Sequence, residues 1–185
     1  MAALNNLFFL ATVPPEDIQE KVKTIKLIFK NRFGSGHALN SPAHLTLIPP
    51  FLWPINKKKA LIQSLDQFSR NESSFNVELK NFGAFVPRVI YIDVEAKNNL
   101  TDLRDRLEKY MDDKWNILKL LRGNKSFNPH MTVAFRDLTK ENFRKAWPEF
   151  KDKDFGAAFH VDKIVLLMHQ QKQWEIYHQS FFGKN

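Results

Sequence analysis

Two short stretches of the chain repeat one arrangement of residue types that could perform acid–base chemistry. The first is PAHLTL at residues 42–47, and the second is PHMTV at residues 129–133. Alternate side chains of a β-strand point to opposite faces, so each stretch would present a histidine and a threonine on one face and apolar residues on the other. Two imidazoles facing one cleft could act as general base and general acid on a phosphodiester. The repeat therefore predicts His44 and His130 as a catalytic pair.

The distance between the two stretches also favours a duplicated unit. They are separated by a little under half of the 185 residues. A single His-x-Thr stretch is weak support for catalysis, because histidines are common in strands. The second copy, in a matching apolar context and with its own upstream proline, is what favours chemistry over a structural role.

The two stretches, continued as PAHLTLIPPF and FNPHMTVAFR, resemble the two-histidine phosphoesterase superfamily, which includes the 2′-5′ RNA ligase-like proteins and the cyclic phosphodiesterases. The resemblance implies an α+β fold, in which two pseudo-symmetric lobes of antiparallel sheet with flanking helices surround a central cleft. It implies catalysis by His44 and His130 with no metal or other cofactor. It also implies that Thr46 and Thr132 hold the substrate phosphate.

One position departs from the pattern of the RNA ligase-like members. They often carry an arginine five positions after the second histidine, where this chain has Phe135, and Arg136 follows. Continued strand alternation predicts Arg136 on the same face as His130, where its guanidinium could contact phosphate. The strict ligase assignment is therefore left open, as is the choice of which histidine is the base.

Several aromatic and basic residues near the two stretches are secondary candidates. Phe51 follows the first stretch and could stack on a base, whereas Trp53 is expected in the core. His37 and Arg88 could reach substrate, but an exposed surface position is the simpler expectation for both. Lys125, in a basic loop before the second stretch, could attract substrate electrostatically. The histidines of the last part of the chain share no motif and are expected to be structural or exposed; they are His160, His169 and His178.

Composition limits the classes of protein that the chain could represent. Its 185 residues, 43% of them hydrophobic, are enough for a sizeable core, and we expect a single two-lobed unit over residues 1–185. No apolar run approaches the ~20 residues of a membrane span. The absence of cysteine excludes disulfides and fits a cytoplasmic protein. The net charge of +8 favours a polyanionic partner, although lysine-rich solubility explains it equally well. We expect a monomer.

The apolar periodicity predicts strands and helices in irregular order, which is typical of an α+β protein with antiparallel pairing. Strands are predicted at 7–13, 75–82, 89–95, 130–135, 155–160, 163–169 and 174–181. Helices are predicted from Pro14 to the Gly34-Ser35-Gly36 turn, over 57–70, from Asn99 to about Leu121, and after Thr139 as N-cap. No Gly-rich phosphate loop occurs, which argues against a parallel nucleotide-binding fold.

The sequence thus favours a phosphoesterase that acts on 2′,3′-cyclic phosphate or 2′-5′ ends of RNA, or on cyclic nucleotides, by metal-independent catalysis with two histidines. The alternative is a noncatalytic RNA-binding module that uses a basic, aromatic-lined cleft. A metallohydrolase ranks last, since neither a His-x-His spacing nor a cysteine pair is present. A structural duplication with histidines of no function is the remaining interpretation.

Overall fold

The computed structural model describes residues 4–121 and 127–183, and within them it contains four α-helices and eight strands. The strands are β1 (Asn5–Thr12), β2 (Leu45–Pro54), β3 (Phe75–Phe85), β4 (Val89–Glu95), β5 (His130–Ala134), β6 (Gly156–Val161), β7 (Lys163–Gln170) and β8 (Gln173–Phe181). The helices are α1 (Glu16–Phe33), α2 (Lys58–Ser69), α3 (Asn98–Trp115) and α4 (Lys140–Phe150). None of these helices combines the length and the apolar composition that a bilayer crossing requires.

The strands form two four-stranded antiparallel sheets, which confirms the α+β prediction. The first sheet has the order β2-β1-β7-β8, and the second has the order β5-β4-β3-β6. The succession β1-α1-β2-α2 in the first lobe recurs as β4-α3-β5-α4 in the second. The first motif leads into β2 and the second into β5, each of which is an edge strand of its sheet, and the lobes are related by pseudo-symmetry.

The two lobes are not consecutive along the chain. After α2 the chain passes to the second sheet and completes it with β6, then returns to add β7 and β8 to the first sheet. In consequence β1 pairs with β2 on one side and with β7 on the other. The first sheet thus depends on strands from both ends of the sequence.

Helix α1 shows how local signals set the elements around the first motif. Pro15 precedes the helix, and acidic residues occupy the first turn, where the helix dipole favours negative charge. The helix ends at Gly34, whose φ of 65° is accessible to glycine without strain and whose N–H bonds to the Phe29 carbonyl. The glycine then directs the chain into the loop that leads to His44.

Apolar residues on both faces of the first sheet are buried. The main core contains side chains from both sheets and includes Phe8 and Leu10 of β1. A separate small cluster on the opposite face consists of Phe9, Ala11, Val165 and Leu167, with Val13 and Trp174 packed against it. Because Phe9 contacts the His44 ring at a centroid distance of 4.8 Å, this second cluster lies on the side of the first motif.

Two predicted helix boundaries were wrong. The helix expected to reach Leu121 ends at Trp115, because Asn116 takes a left-handed conformation with φ 53°, which asparagine tolerates better than most residues. A short 3-10 helix, Ile117–Lys119, follows. At the other end, α3 begins at Asn98 rather than at Asn99, and Lys97 occupies the cap position. Thr139, by contrast, caps α4 as expected by accepting a hydrogen bond from the Asn142 N–H.

Candidate active site

The two motif histidines are held in the same way. The Nδ1 atom of His44 lies 2.8 Å from the carbonyl oxygen of Pro42, and Nδ1 of His130 lies 2.6 Å from the carbonyl oxygen of Asn128. A carbonyl oxygen can only accept a hydrogen bond, so Nδ1 carries the proton in both rings. In each ring Nε2 is therefore the nitrogen that can take up a proton from a reacting group, or release it again.

The threonine of each motif is partly exposed between two buried apolar residues of its strand. In β2, Leu45 and Leu47 are buried while Thr46 between them is partly exposed, and in β5 the same alternation leaves Thr132 partly exposed. The edge strands β2 and β5 pack against each other although they belong to different sheets. The positive charge of a protonated His130 lowers the pKa of His44, so the two imidazoles are within electrostatic reach. The fold thus brings the two predicted histidines together.

Aromatic side chains surround both imidazoles. Phe9 packs on His44, and Trp174 packs in turn on Phe9 at a centroid distance of 4.6 Å. Phe85 and Tyr91 contact His130 at centroid distances of 4.9 and 5.1 Å. Their packing limits the rotation of the rings and removes water from one side of each imidazole.

Glycine at position 83 makes room for one of these aromatic walls. Gly83 lies opposite Tyr91 in the pairing of β3 with β4. A Cβ atom on Gly83 would overlap the phenol ring of Tyr91. The missing side chain therefore allows Tyr91 to lie across β3 while it contacts His130.

Burial is the main influence on the protonation of both histidines. The pKa of His44 is lowered to about 4, chiefly by burial. The hydrogen bond to Pro42 raises this pKa, and the charges of Lys26 and His130 lower it. Burial also lowers the pKa of His130; the bond to Asn128 opposes it. Both imidazoles are consequently neutral at pH 7 in the free protein.

The charged neighbours of the two histidines differ in one respect. Lys97 lowers the pKa of His130, but the carboxylate of Asp93 raises it. The charged groups that shift the pKa of His44, which are Lys26 and His130, both lower it. Of the two rings, His130 is therefore the one with a carboxylate to stabilise its protonated form.

Arg136 does not follow the strand alternation expected of it. Strand β5 ends at Ala134, and Arg136 has a φ of 56°, so the chain has already turned away. Its guanidinium lies 3.3 Å from Nε2 of His37 and 5.5 Å from the centroid of the Phe135 ring. The prediction that strand alternation places Arg136 on the His130 face was wrong, because the strand ends before Arg136. A phosphate contact by Arg136 stays a prediction.

Phe51 does not form a base-stacking surface. It is 1% exposed and packs in the main core beside Phe8 and Trp53. Strand β2 continues through Pro49 and Pro50, which an edge strand tolerates, and this register turns Phe51 to the buried face. The stacking prediction for Phe51 was therefore wrong, whereas the core position expected for Trp53 is confirmed.

Phe85 is an exposed aromatic residue beside His130, and it lies between the strands predicted at 75–82 and 89–95. Phe85 ends β3, is 39% exposed and contacts His130. The pairing of β3 with β4 places it there, because Phe85 lies opposite Val89, two residues before Tyr91 on β4. An aromatic residue beside a tight turn between two predicted strands was the only available signal.

The other secondary candidates lie elsewhere. Arg88 is exposed in the turn between β3 and β4, and Lys125 lies outside the described residues. The expectation of structural or surface roles is met for the last three histidines. His160 bonds to Asn76, and His178 bonds to Asp66; His169 packs on Trp174.

Potential metal ligands are scattered. Glu175 and His178 have a Glu-x-x-His spacing, but they lie on the irregular strand β8 and Nε2 of His178 is 2.8 Å from Asp66. In the part of the chain that the structure describes, no three His, Cys, Asp or Glu side chains converge as a metal site.

The chain matches a family of known proteins. A family model described as the 2′-5′ RNA ligase superfamily matches residues 14–173. A protein of Bacillus pumilus named "Putative phosphoesterase" is 27% identical over 170 residues, which cover 89% of this chain and 93% of that protein. A protein of the same designation from Bacillus cytotoxicus is 26% identical and covers 92% and 94% of the two chains.

Solved structures share the fold over nearly the whole chain. The crystal structure of TT0787 from Thermus thermophilus superimposes with a TM-score of 0.73 at 18% identity, covering 97% of this chain and 99% of the other. The structure of Escherichia coli LigT complexed with 3′-AMP gives a TM-score of 0.72 at 16% identity, with coverage of 98% and 100%. The similarity extends over both lobes rather than one sheet.

Proposed function

The chain belongs to the 2′-5′ RNA ligase superfamily, and on that premise we propose that it is a phosphoesterase that cleaves a phosphodiester by acid–base catalysis between His44 and His130. The observation that carries the proposal is the repeated Nδ1 hydrogen bond to the carbonyl two residues earlier. That bond fixes the same tautomer in both rings and leaves both Nε2 atoms free for proton transfer.

The difference in charged neighbours supports a division of roles. His44 is the general base, because both charges that act on it favour its neutral form. His130 is the general acid, because Asp93 stabilises its protonated form. Negatively charged phosphate between the rings favours imidazolium, so substrate binding supplies the protonated partner that the free protein lacks at pH 7.

The proposed reaction is a hydrolysis in which protons and bonds balance. Nε2 of His44 takes a proton from water as the water oxygen bonds to phosphorus. One P–O ester bond breaks, and Nε2–H of His130 gives its proton to the departing ribose oxygen. Thr46 and Thr132 donate hydrogen bonds to the non-bridging oxygens, where negative charge increases in the transition state. The two histidines end with exchanged protonation states and return to the starting state through solvent.

The proposed substrates are 2′,3′-cyclic phosphate or 2′-5′ linked ends of RNA, and cyclic nucleotides. Support comes from the family and from LigT, which was crystallised with 3′-AMP. The net charge of +8 suits a polyanionic ligand. The reaction needs no metal in this scheme, since the two imidazoles and the threonine hydroxyls supply the proton transfer and the oxyanion contacts.

The direct test is turnover of 2′,3′-cyclic and 3′,5′-cyclic nucleotides and of a 2′-5′ linked dinucleotide by purified protein, with and without EDTA. We expect hydrolysis that EDTA does not reduce. His44→Ala and His130→Ala should each remove turnover without loss of fold, and His160→Ala, an exposed histidine on β6, serves as the control. Binding of RNA ends with no turnover of any substrate would instead support the noncatalytic RNA-binding module.

A further inference from the structure

A buried lysine supports the loop that holds His44. Lys26, in the middle of α1, is 3% exposed, and its Nζ lies 3.0 Å from the carbonyl oxygen of Ser41. Ser41 directly precedes Pro42, the residue whose carbonyl accepts the hydrogen bond from His44 Nδ1. Burial lowers the pKa of Lys26 to about 8, so it is mostly charged at pH 7. Helix α1 thus holds a buried ammonium group against this loop, although burying a charge is energetically costly.

A second lysine supports His130 in a corresponding way. Lys97 precedes α3, and its Nζ lies 2.8 Å from the side-chain oxygen of Asn128 and 2.9 Å from the carboxylate of Asp93. Asn128 is the residue whose carbonyl accepts the hydrogen bond from His130 Nδ1. Here the lysine holds the supporting residue itself rather than its neighbour.

The two arrangements agree in function although they differ in detail. Each lysine lies in the helical connection that precedes the strand of its motif: α1 joins β1 to β2, and α3 joins β4 to β5. Lys26 sits mid-helix and Lys97 at the helix start, so the positions are not copies of one duplicated residue. In both lobes, nevertheless, an ammonium group bonds either to the residue whose carbonyl sets the histidine tautomer or to the residue just before it.

We propose that Lys26 and Lys97 are positioning residues, which fix Ser41 and Asn128 and thereby hold the carbonyl groups that bond to the two imidazoles. Lys26 favours the unprotonated Nε2 of the base His44, and Lys97 disfavours protonation of His130 until an anionic substrate enters. For its effect on rate this inference rests on the proposed function. An ammonium group near an imidazole disfavours a second positive charge, and a phosphate between them offsets that repulsion. Lys97 thereby makes protonation of His130 depend on substrate, while Lys26 keeps His44 in its neutral form.

Different lysines act on the two rings, which makes the inference testable. Lys26 on α1 and His130 on β5 act on His44. Lys97 before α3 and Asp93 on β4 act on His130, which also contacts the phenol of Tyr91. Removing one lysine should therefore affect the histidine of its own lobe.

The experiment is nitrogen-detected NMR of the histidine side chains in the substrate-free protein, for Lys26→Met and Lys97→Met. Each variant should raise the titration midpoint of its own histidine by roughly half a pH unit to one pH unit, and should admit the Nε2–H tautomer at pH 7. Lys21→Met on α1 and Lys109→Met on α3 remove the same charge from exposed positions and should change neither histidine. Unchanged midpoints and tautomers in both lysine variants would overturn the proposal.

Two further measurements keep the outcome unambiguous. Lys26→Gln retains a hydrogen-bond donor without the charge. It should therefore keep the His44 tautomer and still raise the titration midpoint of His44. This variant also replaces Lys26→Met if Lys26→Met does not fold. The acid limb of kcat/KM should move upward with the His44 midpoint in either Lys26 variant. Because the spectra are recorded without substrate, a protein that turns over nothing would contradict the proposed function and leave this test of the lysines intact.

Discussion

The guanidinium of Arg136 lies 3.3 Å from Nε2 of His37, so a residue that follows the second motif meets one that precedes the first. The neighbouring Asp137 holds the loop that contains His37. Its carboxylate accepts hydrogen bonds from the backbone N–H groups of Gly36 and His37, at 2.9 and 2.8 Å, and from the hydroxyl of Ser35. The two motif-bearing parts of the chain are thus tied together beside β5.

Arg136→Gln should lower kcat/KM on a cyclic nucleotide by roughly tenfold to a hundredfold, the usual loss when a charge-assisted hydrogen bond to an anion is removed. Steady-state kinetics would measure it, and we expect the loss mainly in KM if Arg136 binds substrate and transition state equally. Arg144→Gln, at an exposed position on α4, is the matched control. Equal kinetics in the two variants would show that Arg136 serves only to contact His37.

The dependence of kcat/KM on pH should be bell-shaped, with both limbs below pH 6.5. Burial lowers the pKa of His44 to about 4 and also lowers that of His130 from 6.5. The rate should therefore rise as the base His44 loses its proton and fall as the acid His130 loses its own. The two apparent pKa values read from this profile describe the coupled pair of histidines rather than either residue alone.

Saturating substrate should move both limbs of kcat upward, because bound phosphate favours imidazolium. Thr46→Val should reduce the rate and leave the bell shape unchanged, since the hydroxyl does not titrate in this range. A wild-type profile with a single limb would contradict the acid–base pair.

Lys26→Met should change stability in a way that depends on pH. Burial lowers the pKa of Lys26 from 10.5 to about 8, so between these values the unfolded chain holds a proton that the folded chain has lost. The wild type therefore gains stability as pH rises through that window, and below it the buried charge costs on the order of 3 kcal/mol. The advantage of Lys26→Met should shrink between pH 8 and pH 10.5.

Urea unfolding of both proteins across that pH window would measure the difference in unfolding free energy. The lost hydrogen bond to Ser41 lowers the stability of the variant by a constant amount and does not alter the trend. Lys21→Met, an exposed lysine on the same helix, should show a flat difference. A difference that grows with pH would mean that Lys26 is not a buried cation in the folded protein.

Phe85 and Phe51 should respond oppositely to substitution by alanine. If a base stacks on the exposed ring of Phe85, Phe85→Ala should raise KM for a cyclic nucleotide by roughly fivefold to a hundredfold, since stacking contributes ~1–3 kcal/mol per base. Phe51→Ala should instead lower the unfolding free energy by ~3–5 kcal/mol, because the ring is buried. Kinetics and urea unfolding of both variants would distinguish the two positions; an unaltered KM in Phe85→Ala would exclude stacking there.

The parts of the site that depend on local chain geometry could be predicted from the sequence. Strand alternation correctly predicted that Thr46 is partly exposed between the buried Leu45 and Leu47. The second motif behaved in the same way. The pairing of the two motifs followed from the repeat itself, because duplicated units pack as related lobes.

The parts that depend on register or on distant strands could not be predicted. Phe51 was misplaced because nothing local shows that an edge strand continues through two prolines. Arg136 was misplaced because a left-handed residue ended the alternation. Phe85 and Lys26 act on the site only through the β3–β4 pairing and the packing of α1, which no local pattern encodes.

The return of the chain to its first sheet has a consequence for the order in which the protein is made. All four strands of the second sheet lie within residues 75–161, so a growing polypeptide contains that sheet before β7 and β8 have been translated. Until then β1 has one unpaired edge, and Phe9 lacks the Val165 and Leu167 side chains with which it packs. The nascent chain can therefore assemble the His130 lobe first, while the aromatic and aliphatic side chains behind His44 come together only after β7 and β8 have been made.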